Sequence, residues 1–123
     1  TLRILEEYKK EPIRGIIHCF SYDKDFAENV THWGFAIGIG GTITYPKNEE
    51  LRAVVKTLPI EQIVLETDAP FLPVQEIRGK ENHPKYIKTI AEFVANVRGQ
   101  SFETVAQETT KKALRIFSLE EQK

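Results

Sequence analysis

The stretch Ile63-Val-Leu-Glu-Thr-Asp-Ala-Pro70, or IVLETDAP, decides the fold because it begins as a buried strand and ends in acid. Its opening apolar run has no polar alternation, which is typical of a strand covered on both faces, as in parallel sheets. Glu66 and Asp68 lie two residues apart, so an extended chain points both carboxylates to the same face. Pro70 then directs the chain out of the strand.

Two further strands and two amphipathic helices are predicted on the amino-terminal side of this stretch. Ile13 to Phe20 is apolar on both faces, and Phe35 to Gly41 is a second short strand rich in Gly and Ile. Between them, Asp23 to Trp33 repeats apolar residues at helical spacing, and Asn48 opens another helix of the same kind. A helix at the start of the chain precedes all of these elements.

Two helices are predicted after a long loop that runs from Ala69 to His83. Pro84 suits the first turn of one helix, Gly99 suits its end, and Ser101 is a natural cap for the other. The resulting alternation of helices and strands predicts right-handed crossovers and an α/β fold with about three parallel strands and covering helices. Such a sheet has two open edges unless further strands continue it.

Composition fits one globular domain over residues 1–123. The chain has 41% hydrophobic residues, enough to build a core. Seventeen basic residues nearly balance eighteen acidic ones, so any contact with nucleic acid must be local. A single cysteine, Cys19, cannot form an internal disulfide, and no apolar run has the length of a membrane helix. We therefore expect a soluble, cytoplasmic protein that does not associate with membranes.

Candidate site residues lie where the predicted strands end, because ligands of parallel sheets bind beyond the carboxyl ends of the strands. His18 lies at the carboxyl end of the first predicted strand, and the third predicted strand ends in Glu66 and Asp68. Imidazole and carboxylate together suit zinc, manganese or iron. The alternatives are a structural acid pair held by an Arg or by backbone amides, and a histidine that is satisfied within the core. Cys19 is expected to face the covering helix as a small buried hydrophobe.

Two further features carry weaker signals. The cluster Gly38, Gly40 and Gly41 indicates a tight turn or the close approach of backbone to a ligand. The loop Arg78-Gly-Lys-Glu-Asn-His-Pro84 places two cations and Asn82 just before a helix, which suits phosphate binding. An ordinary polar loop is the alternative reading of the second feature.

With these residues in view, the chain resembles the carboxyl-terminal half of the TatD family of metal-dependent deoxyribonucleases. The resemblance runs through essentially the whole chain and is specific in the combination and order of its motifs. The matching pieces are Gly15-Ile-Ile-His-Cys-Phe-Ser21, Gly41 with Thr44, Leu65-Glu-Thr-Asp-Ala-Pro70, Arg78-Gly-Lys with Asn82 and Pro84, and Thr109-Thr110 with Ile116-Phe117.

The resemblance implies part of a TIM-type (β/α) barrel that cleaves DNA phosphodiester bonds with metal-activated water, typically with two divalent metals, Mg, Mn or Zn. His18 and Asp68 correspond to metal ligands, and Asp68 also takes a proton from the attacking water. Glu66 supports Asp68 in catalysis, while Arg78 and Asn82 face the substrate phosphate.

The resemblance also implies that the chain carries only part of the site. The family's His-x-His pair, its bridging Glu and a further histidine would lie before Thr1, and Lys112 stands where the family commonly has Asn. The expected partners are DNA and, through the open sheet edges, a missing amino-terminal half or a second copy. The alternatives are an inactive half-barrel that acts as an oligomerising or binding module, and a related hydrolase of amides or lactones.

Overall fold

The computed structural model describes residues 2–8 and 14–119 of the chain. Its helices and strands alternate in the predicted order. They are α1 (Leu2–Glu7), β1 (Gly15–Ile17), α2 (Lys24–His32), β2 (Phe35–Ile39), α3 (Glu49–Thr57), β3 (Ile63–Leu65), α4 (Ile87–Arg98) and α5 (Phe102–Ile116). Short 3-10 turns occur at Gly41–Thr44, Ile60–Gln62, Gln75–Ile77 and Pro84–Tyr86.

The three strands form one parallel sheet in the order β1-β2-β3. Ile37 at the centre of β2 pairs with Ile17 on one side and with Ile63 on the other. Because β2 is the middle strand, the carboxyl ends of β1 and β3 lie on either side of it. In the described part of the chain, β1 and β3 are therefore the edges of the sheet.

The first strand is shorter than the predicted span from Ile13 to Phe20. Ile13 lies outside the described residues, and the strand ends at Ile17 because His18 and Cys19 form a turn. Cys19 has a φ of 50°, in the left-handed region, which breaks the extended path. Phe20 returns to the sheet, where its N–H donates to the Gly38 carbonyl at 3.0 Å.

Local capping explains where three of the helices begin or end. The Asp23 carboxylate accepts a hydrogen bond from Phe26 N at 2.8 Å, and the Ser101 hydroxyl accepts one from Thr104 N at 3.1 Å. Gly99 ends α4 in the left-handed conformation with a φ of 66°. Each cap satisfies backbone groups that a helix end leaves unpaired.

The core lies between the sheet and its covering helices. Every fully buried side chain removes apolar surface from water, which contributes roughly 1.5–3 kcal/mol for a Val, Ile or Phe. The largest of these side chains are Phe20, Ile37, Ile39, Ile43, Ile63, Ile90, Val30, Val54, Val55, Val74, Val94 and Val105. None of the helices within residues 2–8 and 14–119 combines the length and apolarity needed to span a membrane.

Candidate functional site

Glu66 connects the ends of the two outer strands across the middle strand. Its N–H donates to the Ile39 carbonyl at 3.0 Å, which continues the pairing of β3 with β2 by one residue. One carboxylate oxygen, Oε1, accepts a hydrogen bond from Cys19 N at 2.5 Å, just beyond β1. The other, Oε2, lies 3.7 Å from His18 Nε2. The Glu66 side chain is only 16% exposed, whereas that of His18 is 60% exposed.

Gly38 provides the space that the Glu66 carboxylate occupies. It lies in β2 between two buried isoleucines and pairs with Val64 of β3. A Cβ added at Gly38 would lie 2.7 Å from Glu66 Cδ and 2.9 Å from Oε1, closer than real Cβ contacts. The close approach expected at this glycine is therefore made by a carboxylate of the same chain. A glycine inside a strand was the sequence signal, but it does not name the approaching group.

The environment of Glu66 shifts its pKa. Burial raises the pKa of the carboxyl group, and the nearby Asp68 charge acts in the same direction, while the Cys19 N–H and His18 oppose them. The net direction is upward. Asp68 is itself exposed, and its main-chain oxygen accepts a hydrogen bond from Phe71 N at 2.7 Å. Its charge acts on the Glu66 and Cys19 side chains, so these three acidic groups share one region at the carboxyl edge of the sheet.

Cys19 was expected to face the covering helix from a longer strand as a small buried hydrophobe, but it is not fully buried. Because β1 ends at Ile17, Cys19 lies in the following turn and is partly exposed. Burial raises the pKa of its thiol, and the charges of Glu66 and Asp68 raise it further. A thiol with a raised pKa is mostly protonated and is a poor nucleophile.

The donor set matches part of a divalent metal site. His18 and Asp68 are exposed at the carboxyl edge and offer an imidazole and a carboxylate, while Glu66 uses Oε1 for the Cys19 amide. Within residues 2–8 and 14–119, no three His, Cys, Asp or Glu side chains are grouped closely enough to hold a metal ion. Since catalytic metals usually have three or more protein ligands, a catalytic metal at this edge would need further ligands from outside this set.

Arg78 lies against the loop that follows β2. Its guanidinium stacks on the Tyr45 ring, 4.2 Å from the ring centroid, and its Nη1 lies 3.5 Å from Gln75 Oε1. The Tyr45 hydroxyl donates in turn to the Pro73 carbonyl at 2.7 Å. Stacking leaves the in-plane N–H donors of an arginine available to an anion. Arg78 is exposed, so a phosphate contact by this residue stays a prediction.

Asn82 holds the loop that follows Asp68. Its side chain is buried, and its Nδ2 donates to the Phe71 carbonyl at 2.9 Å and to that of Leu72 at 3.4 Å. Its Oδ1 accepts from His83 N at 2.8 Å, and its own N–H donates to the Pro70 carbonyl at 2.9 Å. Both ends of the side-chain amide therefore bind main chain. The predicted contact of Asn82 with phosphate is not tested by this geometry, which shows a role in fixing the loop.

Lys112 stands where the family that the chain resembles commonly has Asn. It lies on α5 and is partly buried. Burial lowers the pKa of its amino group, and the cations of Arg115 and Arg14 lower it further. Arg14 also donates from Nη1 to the Arg115 carbonyl at 3.4 Å. The end of α5 thus holds a partly buried cation near two others.

Comparison with known proteins places these features in a family. A family model described as "TatD related DNase" matches residues 1–118. The chain is 36% identical over 120 residues to the uncharacterized metal-dependent hydrolase YcfH of Escherichia coli, covering 98% of this chain and 45% of that protein. It is also 36% identical over 119 residues to YabD, an uncharacterized metal-dependent hydrolase of Bacillus subtilis, covering 97% of this chain and 47% of the relative.

Solved structures show the same architecture. The crystal structure of YjjV, a TatD homologue from Escherichia coli, matches with a TM-score of 0.88 and 29% identity, covering 97% of this chain and 46% of that one. A TatD family hydrolase from Entamoeba histolytica matches with a TM-score of 0.81 at 18% identity, over 96% of this chain and 46% of its own. These matches confirm the predicted fold class, a partial TIM-type barrel, and the chain spans about half the length of the relatives it matches.

Proposed function

We propose a function from the premise that this chain belongs to the TatD related DNase family, whose model matches residues 1–118. The chain supplies the carboxyl-terminal part of a metal-dependent hydrolase that cleaves DNA phosphodiester bonds. The relatives from Escherichia coli and Bacillus subtilis carry the name metal-dependent hydrolase, which supports the reaction type. The choice of DNA as the substrate is our own inference.

One observation supports this function above the others. The Glu66 carboxylate lies between the Cys19 amide and the His18 imidazole, with the Asp68 charge nearby, at the carboxyl edge of a parallel sheet. A partly buried carboxylate beside an exposed imidazole is where a group that orients a metal-binding histidine usually lies, although at 3.7 Å the two form an ion pair and not a hydrogen bond. The cluster therefore has the chemistry of a metal site and its support.

Each of these side chains has a distinct part in the proposed reaction. His18 and Asp68 would hold a divalent cation, Mg, Mn or Zn, which supplies Lewis acidity and lowers the pKa of bound water. Glu66 Oε2, 3.7 Å from His18 Nε2, would orient the imidazole once that nitrogen donates to it. The exposed Asp68 carboxylate accepts the proton from the attacking water, and Arg78 binds the phosphate charge.

The remaining ligands come from a second polypeptide segment in this proposal. Two protein ligands are too few for a catalytic centre, and two metals would require still more. The edges at β1 and β3 are where an amino-terminal half would continue the sheet and bring those ligands to the same face. We propose this pairing as the main partnership of the chain.

A second candidate function rests on an apolar groove beside β3. The groove encloses about 370 Å³ between α4 and α5 and includes Leu65, Ile87, Phe117 and Leu119. Phe117 and Leu119 are 62% and 59% exposed, which is unusual for side chains of this size. A half-barrel that covers this groove with a second copy would be a binding module without activity of its own. Sedimentation velocity distinguishes the two, because a concentration-dependent dimer supports the module.

The cleavage of an end-labelled single-stranded DNA tests the nuclease proposal. The chain is assayed alone and mixed with the amino-terminal half of a TatD relative, with Mg²⁺, with Mn²⁺ and with chelator. We expect metal-dependent cleavage that falls by about 100- to 10,000-fold in Asp68→Asn, the usual contribution of a group that transfers a proton. Asp25→Asn is the matched control, because Asp25 is an exposed aspartate on α2.

The proposal fails if the wild-type mixture leaves DNA intact under all metal conditions, or if Asp68→Asn cleaves as fast as Asp25→Asn. An ester or amide substrate measured beside the DNA addresses the alternative bond specificities. Cleavage of that substrate alone would place the chain among hydrolases of another class.

A further inference from the structure

A small cavity adjoins the candidate metal site on the side of β1 and β2. It encloses about 210 Å³ and opens between the loop after β1 and the loop that leads into α3. Its lining includes Cys19, Ser21, Tyr22, Thr42, Lys47 and Asn48. The Cys19 amide is the group that binds the Glu66 carboxylate, so the cavity shares a wall with the site. Ligand pockets for larger molecules start at roughly 300 Å³, so this one suits a single ring system.

Tyr22 gives the cavity a fixed aromatic wall. Its ring stacks on Phe26 with centroids 4.2 Å apart and planes 11° apart. The buried Phe20 ring meets it edge-on at 5.8 Å. Although two rings hold it in place, Tyr22 stays 49% exposed, so the stack covers one face and leaves much of the side chain accessible. An exposed ring held in this way is the platform on which nucleobases stack in single-strand binding proteins.

Polar groups surround this aromatic wall. Asn48 precedes α3 without capping it, and its Nδ2 instead donates to the Thr42 carbonyl at 2.8 Å, which turns the amide toward the cavity. The exposed Lys47 offers a cation for a phosphate. The exposed Glu50 also lines the cavity and offers an acceptor for an amino group. Donors, an acceptor and a cation beside an aromatic face match the chemistry of a nucleotide.

We propose that this cavity is a nucleobase subsite, in which one base of the substrate stacks on Tyr22 beside the metal site. The inference rests on the proposed function, since a strand of DNA cut at the metal site would bring a neighbouring base to this wall. Lys47 binds the phosphate of that nucleotide, and Glu50 and Asn48 meet the edge of the base. Tyr22 thereby sets how the strand is held and does not take part in bond cleavage.

Binding of deoxyadenosine 5′-monophosphate tests the subsite directly. The titration uses the chain without any metal. Binding to the wild type is followed through the NMR signals of the Tyr22 ring protons, and binding to the Tyr22 variants is followed through the heat released in calorimetry. Stacking contributes about 1–3 kcal/mol per base, so Tyr22→Ala should weaken binding by roughly 5- to 150-fold. Tyr22→Phe keeps the ring and should bind within about twofold of the wild type. Urea unfolding of each variant shows whether it remains folded.

A second ligand separates the contribution of the base to binding from that of the phosphate. Deoxyribose 5-phosphate lacks the ring, so it should bind weakly and equally to the wild type and to Tyr22→Ala. The proposal is overturned if this sugar phosphate binds as tightly as the nucleotide, or if Tyr22→Ala binds the nucleotide as well as Tyr22→Phe does.

The subsite and the nuclease proposal fail separately. Asp68→Asn should abolish cleavage while it leaves nucleotide affinity unchanged, because the titration contains no metal. Tyr22-dependent nucleotide binding without cleavage under any condition would support the subsite and refute the nuclease function. Cleavage without Tyr22-dependent binding would support the nuclease and overturn the subsite.

Discussion

Replacing Gly38 by alanine would put a methyl group into the space that the Glu66 carboxylate occupies. The new Cβ would lie 2.7 Å from Glu66 Cδ and 2.9 Å from Oε1. Gly38 is buried in the middle strand, with β1 and β3 paired on either side, so the backbone has little freedom to move away. The carboxylate must therefore leave its position, and its hydrogen bond to the Cys19 amide must break or lengthen.

The size of the effect follows from two contributions. Inserting a methyl group into a packed interior costs about 1–3 kcal/mol. Losing a hydrogen bond to a charged group costs about 1.5–3 kcal/mol, which partial rehydration of the displaced Glu66 reduces. A gain of about 0.5–1 kcal/mol opposes both, because alanine is less flexible than glycine in the unfolded chain. We expect Gly38→Ala to lower the free energy of unfolding by about 2–4 kcal/mol in total.

A double-mutant cycle, measured by urea unfolding, isolates the contact between residue 38 and the Glu66 carboxylate. Glu66→Ala removes the carboxylate, so Gly38→Ala should cost less than about 1 kcal/mol in that background, a coupling of at least about 1 kcal/mol. Gly79→Ala is the control, because Gly79 has a φ of 91° and open space around its Cα, so it should cost the same in both backgrounds. If Gly38→Ala lowers the free energy of unfolding equally with and without the Glu66 side chain, the clash with the carboxylate is not the cause of the loss.

Three further substitutions give distinct results. Asp68→Asn should leave the free energy of unfolding in urea within about 0.5 kcal/mol of the wild type, because the side chain is exposed. Asn82→Ala should cost about 1–3 kcal/mol and speed proteolysis of the loop at residues 69–83, since it removes the hydrogen bonds from the buried amide to the Phe71 and Leu72 carbonyls. Arg98→Met should cost about 1.5–3 kcal/mol by thermal unfolding, because Arg98 Nη1 binds the Val55 and Leu58 carbonyls at the end of α3. Unchanged stability in either of the last two, or a large loss in the first, would contradict these assignments.

The order of elements could be predicted from sequence because the signals that set it are local. Asp23, Ser101 and Gly99 act within one helical turn, and each was found at the helix end where its chemistry places it. The third strand was predicted to begin at Ile63, as observed, but it was expected to run on to Glu66 and Asp68, whereas it ends at Leu65. Alternation of such elements leaves few topologies for the sheet.

The end of β1 could not be predicted in the same way. The segment from Ile13 to Phe20 is mostly apolar on both faces, which fits one continuous strand. No sequence signal marks the turn at His18 and Cys19. A positive φ at a residue other than glycine depends on the rest of the structure, here on the Glu66 carboxylate that accepts the Cys19 N–H.

The other features that the sequence did not predict depend on contacts between residues that are distant along the chain. Gly38 and Glu66 are separated along the chain, and their contact depends on the register in which Gly38 pairs with Val64. Asn82 was predicted to face the substrate phosphate from a polar loop, whereas its burial depends on how residues 70–72 fold back onto it. Side chains that bind main chain across a loop leave no periodic pattern in the sequence.

Mn²⁺ binding is the decisive test of a metal site at His18 and Asp68. Its affinity is measured by electron paramagnetic resonance on the chain assembled with the amino-terminal half of a TatD relative. We expect His18→Ala and Asp68→Asn each to abolish a binding step that Asp25→Asn retains. We also expect Glu66→Gln to weaken the same step by about 10- to 100-fold, the usual effect of a group that supports a metal ligand. Equal Mn²⁺ affinity in the wild type and in the His18 and Asp68 variants would contradict the assignment of this edge of the sheet as a metal site.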